Sequence, residues 1–123
     1  MAMARTVIVE KPKGVEQCIE DCLDCHSVCL ETAVDYCLKM GGRHASQNHI
    51  RLMLDCSEIC QASANFMLRG SVFGARICSP CAEVCDQCAE SCDQFSGDSK
   101  MAACADVCRR TADSCRQMSG MHM

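Results

Sequence analysis

Cysteine recurs through this chain at intervals of three and four residues, the spacing that stacks side chains along one face of an α-helix. Cys18, Cys22, Cys25 and Cys29 form one row, and Cys78, Cys81, Cys85, Cys88 and Cys92 form another. Cys56 with Cys60, and Cys104 with Cys108 and Cys115, make two shorter rows, and Cys37 stands alone after the first. In an ordinary bundle that face carries Leu, Ile and Val. Here cysteine takes their place, and Phe, Trp and Tyr together are only 3% of the chain, so large core residues are scarce. The pattern predicts an all-α fold of four helices lined with sulfur, whose core needs a source of cohesion beyond hydrocarbon packing.

A chain of 123 residues is one domain, long enough for four helices around a single core. The expected division is an N-terminal arm over residues 1–14, the helical bundle over 15–118 and a C-terminal tail over 119–123. Helix 1 is expected from about Val15 to Met40, ended by Gly41-Gly42, because glycine readily takes the left-handed position after a helix. Helix 2 starts with Ser46 as N-cap and stops near Gly70. Ser71 is a candidate cap for helix 3, but Pro80 lies between Cys78 and Cys81, so that helix either begins again at Ser79-Pro80 or bends there. Gly97 marks its far end; Asp98 or Ser99 then caps helix 4, which runs to about Met118. Short connections between long helices favour antiparallel neighbours, hence an up-down-up-down four-helix bundle with a cysteine-lined core.

Stepping about 100° per residue puts Cys18, Cys22, Cys25, Cys29, Ala33, Tyr36 and Met40 in one sector of helix 1. The same step aligns His49, Met53, Cys56, Cys60, Ser63 and Met67 on helix 2, and Met101, Cys104, Cys108, Thr111, Cys115 and Met118 on helix 4. A second apolar strip on helix 1, Ile19, Leu23, Leu30 and Val34, is rotated away from the cysteines. It reads as the flank of a broad core face or as a contact for another subunit.

Composition excludes several classes of function. Formal net charge is −4, with acidic and basic residues interspersed, so no basic stripe argues for nucleic acid. Uninterrupted apolar runs are far shorter than the roughly 20 residues that span a bilayer. The Thr6-Val7-Ile8-Val9 run is too brief for a secretory signal, and no twin-arginine pair accompanies it. The expected compartment is therefore the reducing cytoplasm, where thiols stay free.

Three readings of the thiols compete. Cysteines along one helix face rarely reach the geometry of a relaxed disulfide, and their number here is odd, which disfavours a disulfide scaffold. Discrete zinc or iron–sulfur sites find support in the CxxC pairs Cys22/Cys25, Cys78/Cys81 and Cys85/Cys88. Against them, the ligands run on from Cys78 to Cys92 without the turns that wrap a chain around one ion. A store of monovalent soft ions, with Cu(I) the obvious candidate, suits thiolate and thioether ligands. One Cu⁺ per cysteinate leaves a neutral interior, whereas repeated Zn²⁺ tetrathiolates would bury net negative charge. Every CxxxC pair, such as Cys18/Cys22 or Cys56/Cys60, brings two sulfurs onto one face to share an ion. Redox chemistry at a CxxC is a further alternative, but the βαβ context of such sites is missing, and no single cysteine is marked as a nucleophile.

The repeated motifs, above all Cys18-Ile19-Glu20-Asp21-Cys22-Leu23-Asp24-Cys25 and Cys78-Ser79-Pro80-Cys81-Ala82-Glu83-Val84-Cys85-Asp86-Gln87-Cys88, resemble those of the bacterial four-helix-bundle copper storage proteins. The resemblance covers essentially residues 15–118. It implies multiple Cu(I) ions filling the bundle interior, assembly into a homotetramer, and the cytosolic branch of that family. Copper donor or acceptor proteins would be its partners.

In an antiparallel bundle the end of helix 1, the start of helix 2, the end of helix 3 and the start of helix 4 lie together. Met40, His44, His49, Met53 and Met101 then gather beside Cys37, Cys92 and Cys104 as a candidate port, where weaker ligands accept the ion and pass it inward. The resemblance points to the same end. His44, in a glycine-flanked loop, reads equally well as solvated, and His26 reads as a structural interhelical histidine. Phe66, Met67, Phe73 and Met118 are expected to plug the opposite end, and Ala33, Tyr36 and Phe95 to partition the core. The Met121-His122-Met123 tail is given no role.

Overall fold

A computed structural model describes residues 14–120; the expected arm before Gly14 and the Met121-His122-Met123 tail lie outside the described residues. Four long helical rods make up the chain: α1 (Val15–Thr32) with its continuation, α2 (Gln47–Leu68), α3 (Gly74–Asp93) and α4 (Ser99–Ser119). They alternate in direction, and each packs against two others in the ring order α1, α2, α3, α4. This is the antiparallel up-down-up-down bundle that the short connections predict. Its described core is built from cysteine, alanine and methionine with Val15 and Ile19.

Two helix ends are set by glycine. After α2, Gly70 takes φ 66°, its amide bonds Met67 O at 3.1 Å, and the Ser71 amide bonds Phe66 O at 3.0 Å. That pair of bonds satisfies the last carbonyls in a Schellman motif, which only a residue tolerant of positive φ supports cheaply. Gly41, at φ 70°, ends the first rod as expected and leads into a 3₁₀ turn, Gly42–Ala45. Asp98 caps α4, its carboxylate accepting from the Lys100 and Met101 amides at 3.0 Å each. Ser46 stands at the N-cap of α2 without a side-chain capping bond. Ser71 is not the cap of α3: Phe73 holds that place, and the Ser71 hydroxyl accepts from its amide at 3.1 Å.

Three expectations are corrected. Of the two outcomes expected at Pro80, a restart does not occur: α3 runs as one helix through it from Gly74 to Asp93. The proline costs the bond its amide would make to the carbonyl four residues back and crowds that carbonyl, while the turns on either side hold. The first rod is also not a uniform α-helix. Ala33–Cys37 forms a π segment, with the Leu38 amide reaching back to Ala33 O. The wider turn turns the following residues back around the axis. Cys37 therefore becomes fully buried, whereas Tyr36 is half-buried and Met40 is 54% exposed. Finally, the closed end is not plugged by phenylalanine. Met67 and Met118 are buried there with Val15, while Phe73 is exposed under the Arg76 guanidinium and Phe66 is half-buried under Arg69.

The second apolar strip on α1 divides. Ile19 is wholly buried, but Leu30, Val34 and Leu38 lie 42–49% exposed along one outer line of the rod. Polar contacts tie the helices outside the core. The Ser57 hydroxyl donates to His26 O at 2.9 Å, leaving His26 Nδ1 to donate to the Ser57 carbonyl and hydroxyl oxygens at 2.9 Å each. His26 is thus the interhelical histidine its position suggested. Arg110 pairs with Asp24 at 3.0 Å and with buried Asp21 at 3.6 Å, joining α4 to α1. Among the described residues no helix is long and apolar enough to cross a membrane.

Candidate metal centre

All fifteen cysteines are free and buried. Their sulfurs form a continuous column down the bundle axis. From the end where α1 starts and α4 stops, Cys115 lies 3.9 Å from Cys18 and 3.7 Å from Cys22. Cys60 stands 3.7 Å from Cys81 and 3.5 Å from Cys85. In the centre Cys25 is 3.7 Å from Cys56 and 3.8 Å from Cys29, and Cys56 is 3.7 Å from Cys85. Beyond it Cys29 lies 3.6 Å from Cys108 and 3.8 Å from Cys104. A disulfide needs about 2.05 Å between sulfurs, so these are contacts between free thiols.

The sulfurs gather into groups whose members all lie within 4.8 Å: Cys25, Cys56, Cys60 and Cys85; Cys25, Cys29, Cys56 and Cys108; Cys18, Cys78 and Cys115; and Cys22, Cys81 and Cys115. The groups overlap. Cys25 and Cys56 belong to two, and so does Cys115. A closed zinc site owns its four ligands, whereas shared corners suit a chain of ions bridged by thiolates. Among the described residues no arginine or lysine is buried, and Arg109, Arg110 and Arg116 pair with aspartates at the surface, so the charge of buried thiolates has to be balanced by the ions they bind.

At the other end the column meets different ligands. Cys37 Sγ lies 3.5 Å from Met101 Sδ, 3.7 Å from Met53 Sδ and 3.5 Å from His49 Nε2. Met53 and Met101 are fully buried and His49 is 3% exposed. The π segment makes this meeting possible by aiming Cys37 inward. Burial pushes the Cys37 thiol up to about 11, with Cys104 and Asp98 adding to it, so at neutral pH it is protonated. Cys92 is raised as well, through Cys104, Cys88 and burial. Burial lowers the pKa of His49, which keeps its imidazole neutral and free to ligate. Its Nδ1 stands 2.7 Å from the hydroxyl of buried Ser91. A hydroxyl both donates and accepts, so His49 can either give a proton to Cys37 or offer Nε2 as a lone pair without moving.

Over this pocket Phe95 packs 4.9 Å from His49 and 4.1 Å from His44, ring centre to ring centre. His44 Nε2 and the Tyr36 hydroxyl both bond Asp98 Oδ2, at 2.8 and 2.7 Å. The Tyr36 bond, then His44, holds the Asp98 carboxyl down to about 2. Arg43 donates to Gln94 O at 3.2 Å and lies over Phe95. A surface hollow of about 610 Å³ opens among Tyr36, Arg43, His44, Phe95 and Asp98, and a neighbouring one of about 380 Å³ reaches Cys92.

The structure thus brings His49, Met53 and Met101 onto Cys37, sets His44 one layer outside them behind Phe95, and leaves Met40 exposed and apart from the group. Met40 is turned out by the same π segment that turns Cys37 in. Tyr36 and Phe95 belong to the mouth and do not partition the core; Ala33 alone is buried on the line between Cys29 and Cys37. Ser91 and the capping Asp98 were not among the expected site residues. Neither carries a sequence signal for the role, since a serine between cysteines and a helix-capping aspartate are both commonplace.

A profile of the copper storage protein family (Csp) matches residues 11–120. The Nmul_A1745 protein of Nitrosospira multiformis is 45% identical, with a TM-score of 0.83 over 89% of this chain and 97% of that one. The Cu(I)-bound copper storage protein BsCsp3, from Bacillus subtilis, is 33% identical, with a TM-score of 0.80 over 88% of this chain and 100% of its own. A cytosolic copper storage protein of Streptomyces lividans, with five coppers, is 27% identical, with a TM-score of 0.80 over 89% of this chain and 94% of its own. The uncharacterised cysteine-rich protein YhjQ of Bacillus subtilis is 35% identical over 68 residues, which span 55% of this chain and 62% of that protein. With the cysteine column, the helical bundle and the profile in agreement, the chain belongs to the copper storage protein family.

Proposed function

We propose that this protein takes up Cu(I) and stores many ions along its buried cysteine column. The observation that carries the reading is the sharing of corners: of the fifteen free, buried thiols, eleven fall into four groups that share Cys25, Cys56 and Cys115, with neighbouring sulfurs 3.5 to 4.0 Å apart. Soft monovalent copper suits such ligands, and each thiol that binds Cu⁺ releases its proton as it becomes a thiolate. Storage rather than catalysis is the reading the family supports; Cys37, the cysteine that does lie beside an imidazole, is fully buried and its thiol is held protonated.

Copper enters at the end where Cys37, His49, Met53 and Met101 converge. A thioether and an imidazole hold Cu(I) less firmly than thiolates do, so the ion passes on to Cys92, Cys104 and the column beyond. His44, one layer outside that pocket, makes the first approach. The donor and the recipient are copper-carrying proteins whose own ligands exchange with these. Fifteen unpaired cysteines fit a reducing cytoplasm, and the Streptomyces lividans relative is a cytosolic protein. The exposed line of Leu30, Val34 and Leu38 is offered as a subunit face of a homotetramer. Light scattering on the purified protein tests the assembly, and a monomeric mass would remove it. Uptake is tested by stopped-flow transfer from a Cu(I) carrier: replacing His49, Met53 and Met101 together slows filling, and unchanged kinetics would remove the port.

A further inference from the structure

The last turns of α2 break the cysteine pattern of the core. In the two groups nearest the start of α1 and the end of α4, α1, α3 and α4 each supply a thiol: Cys18, Cys78 and Cys115 in one, Cys22, Cys81 and Cys115 in the other, with Cys60 of α2 only 3.7 Å from Cys81 of the second. Past Cys60 the buried residues of α2 are Ser63, Ala64 and Met67, of which Ser63 and Met67 carry atoms that can bond or ligate. Both are buried, Ser63 wholly and Met67 with 3% exposure. Met67 Sδ accepts from the Cys78 thiol at 3.9 Å. This repeats the arrangement at the open end, where the terminal cysteine of the column also meets thioether sulfur.

Ser63 carries the second observation. Its hydroxyl is the one buried side-chain oxygen or nitrogen among the described residues without a hydrogen-bond partner. A serine inside a helix ordinarily bonds the carbonyl four residues back. Thr111, equally buried on α4, does so, donating to Val107 O at 2.9 Å with Asp21 O also in reach at 3.1 Å. Ser63 leaves its proton unused, on the face between Cys60 and Met67. A neutral thiol is a weak acceptor, while a metal-bound thiolate is a charged and much stronger one. A thiolate formed in the Cys18, Cys78 and Cys115 group on loading would be an acceptor of that stronger kind.

We propose that this closed end is a distinct Cu(I) site in which the Met67 thioether is a ligand beside Cys18, Cys78 and Cys115, and the Ser63 hydroxyl donates to the thiolates of the loaded form. The proposal rests on the storage reading and deepens it. A thioether is a weaker ligand than a thiolate, so this ion is surrendered to a competitor before those held in the all-thiol groups.

The test uses reduced full-length protein titrated anaerobically with Cu(I) against a chromogenic chelator, followed by thermal unfolding of the metal-free and loaded forms. Met67→Leu keeps the side-chain volume and is expected to hold one copper fewer than the wild type under competition. Ser63→Ala is expected to raise the metal-free melting temperature by about 4 °C, because an unpaired buried hydroxyl is gone. In the loaded protein the same variant is expected to weaken the last copper by about tenfold and to show a smaller copper-induced rise in melting temperature. An unchanged copper count in Met67→Leu would overturn the ligand assignment. Equal shifts of the metal-free and loaded melting temperatures in Ser63→Ala would overturn the hydrogen bond. A wild type that binds only a few ions would instead overturn the storage reading itself, before either variant is compared.

Discussion

The middle of the bundle and its open end are built from the same helices yet present different chemistry. In the middle every ligand is a thiol on a regular helix, and neighbours such as Cys25 and Cys56 serve two groups at once. At the open end one cysteine faces an imidazole and two thioethers, and the helix that carries it has left α geometry. Uniform, shared thiolates favour capacity; mixed neutral ligands with a hydrogen-bonded histidine favour exchange. On the proposed reading, holding metal and admitting it are separate tasks given to separate turns of the same rods.

Removing a shared corner should break the contrast most severely. Cys25→Ser with Cys56→Ser disrupts two overlapping groups, so several coppers per chain should be lost in an anaerobic titration, where Cys37→Ser loses about one if one thiol serves one monovalent ion. Equal losses would mean the groups fill independently. The triple variant His49→Ala, Met53→Leu, Met101→Leu attacks the other side of the comparison. Uptake should slow by about tenfold or more, given what ligand-supporting groups contribute at metal sites, while the thiols of the column still fill. Loss of capacity without loss of rate would reverse the two roles.

Acid sharpens the same contrast. Burial, with His44 adding and Cys104 opposing, depresses the pKa of His49 below its ordinary value of 6.5. The unfolded chain then binds the extra proton first as pH falls, so this stability is complete above 6.5 and lost as pH drops through the folded value. Unfolding midpoints of the metal-free protein should fall below that pH and do so less in His49→Gln. Asp98 acts lower: its contribution is present above 3.8 and is lost as pH falls towards about 2. Asp98→Ala, which removes the cap of α4 and the shared partner of Tyr36 and His44, should cost about 1 kcal/mol in denaturant unfolding. The smallest effect belongs to Met40→Leu. With Met40 exposed, uptake rate should barely change; slowing equal to that of the triple variant would place Met40 in the port.

Much of this molecule is legible in its sequence because cysteine, unlike leucine, marks both the helical period and the chemistry of the face it lines. The rows from Cys18 to Cys29 and from Cys78 to Cys92 identify the inward faces, and Gly41, Gly70 and Asp98 mark ends by their conformational preferences. What could not be read depends on departures from that period. Nothing in Ala33-Val34-Asp35-Tyr36-Cys37 announces a π segment, so uniform stepping put Tyr36 and Met40 inside and missed why Cys37 is there. Pro80 reads as a break, yet packing on both sides of it carries the helix through. Phe73 reads as a plug by its size, but its place at the N-cap of α3 turns it to solvent and leaves Met67 and Met118 to close the core. Ser63 aligns with the cysteines in sequence, and only the three-dimensional count of partners exposes its unused proton.

The most direct test of the central claim is the copper capacity of the fully reduced protein, measured by anaerobic Cu(I) titration with a chromogenic chelator reporting the first free ion. A shared column predicts an endpoint near one copper per cysteine, close to fifteen per chain. An endpoint of only a few ions, accompanied by tight zinc binding at the four-thiol groups, would contradict it.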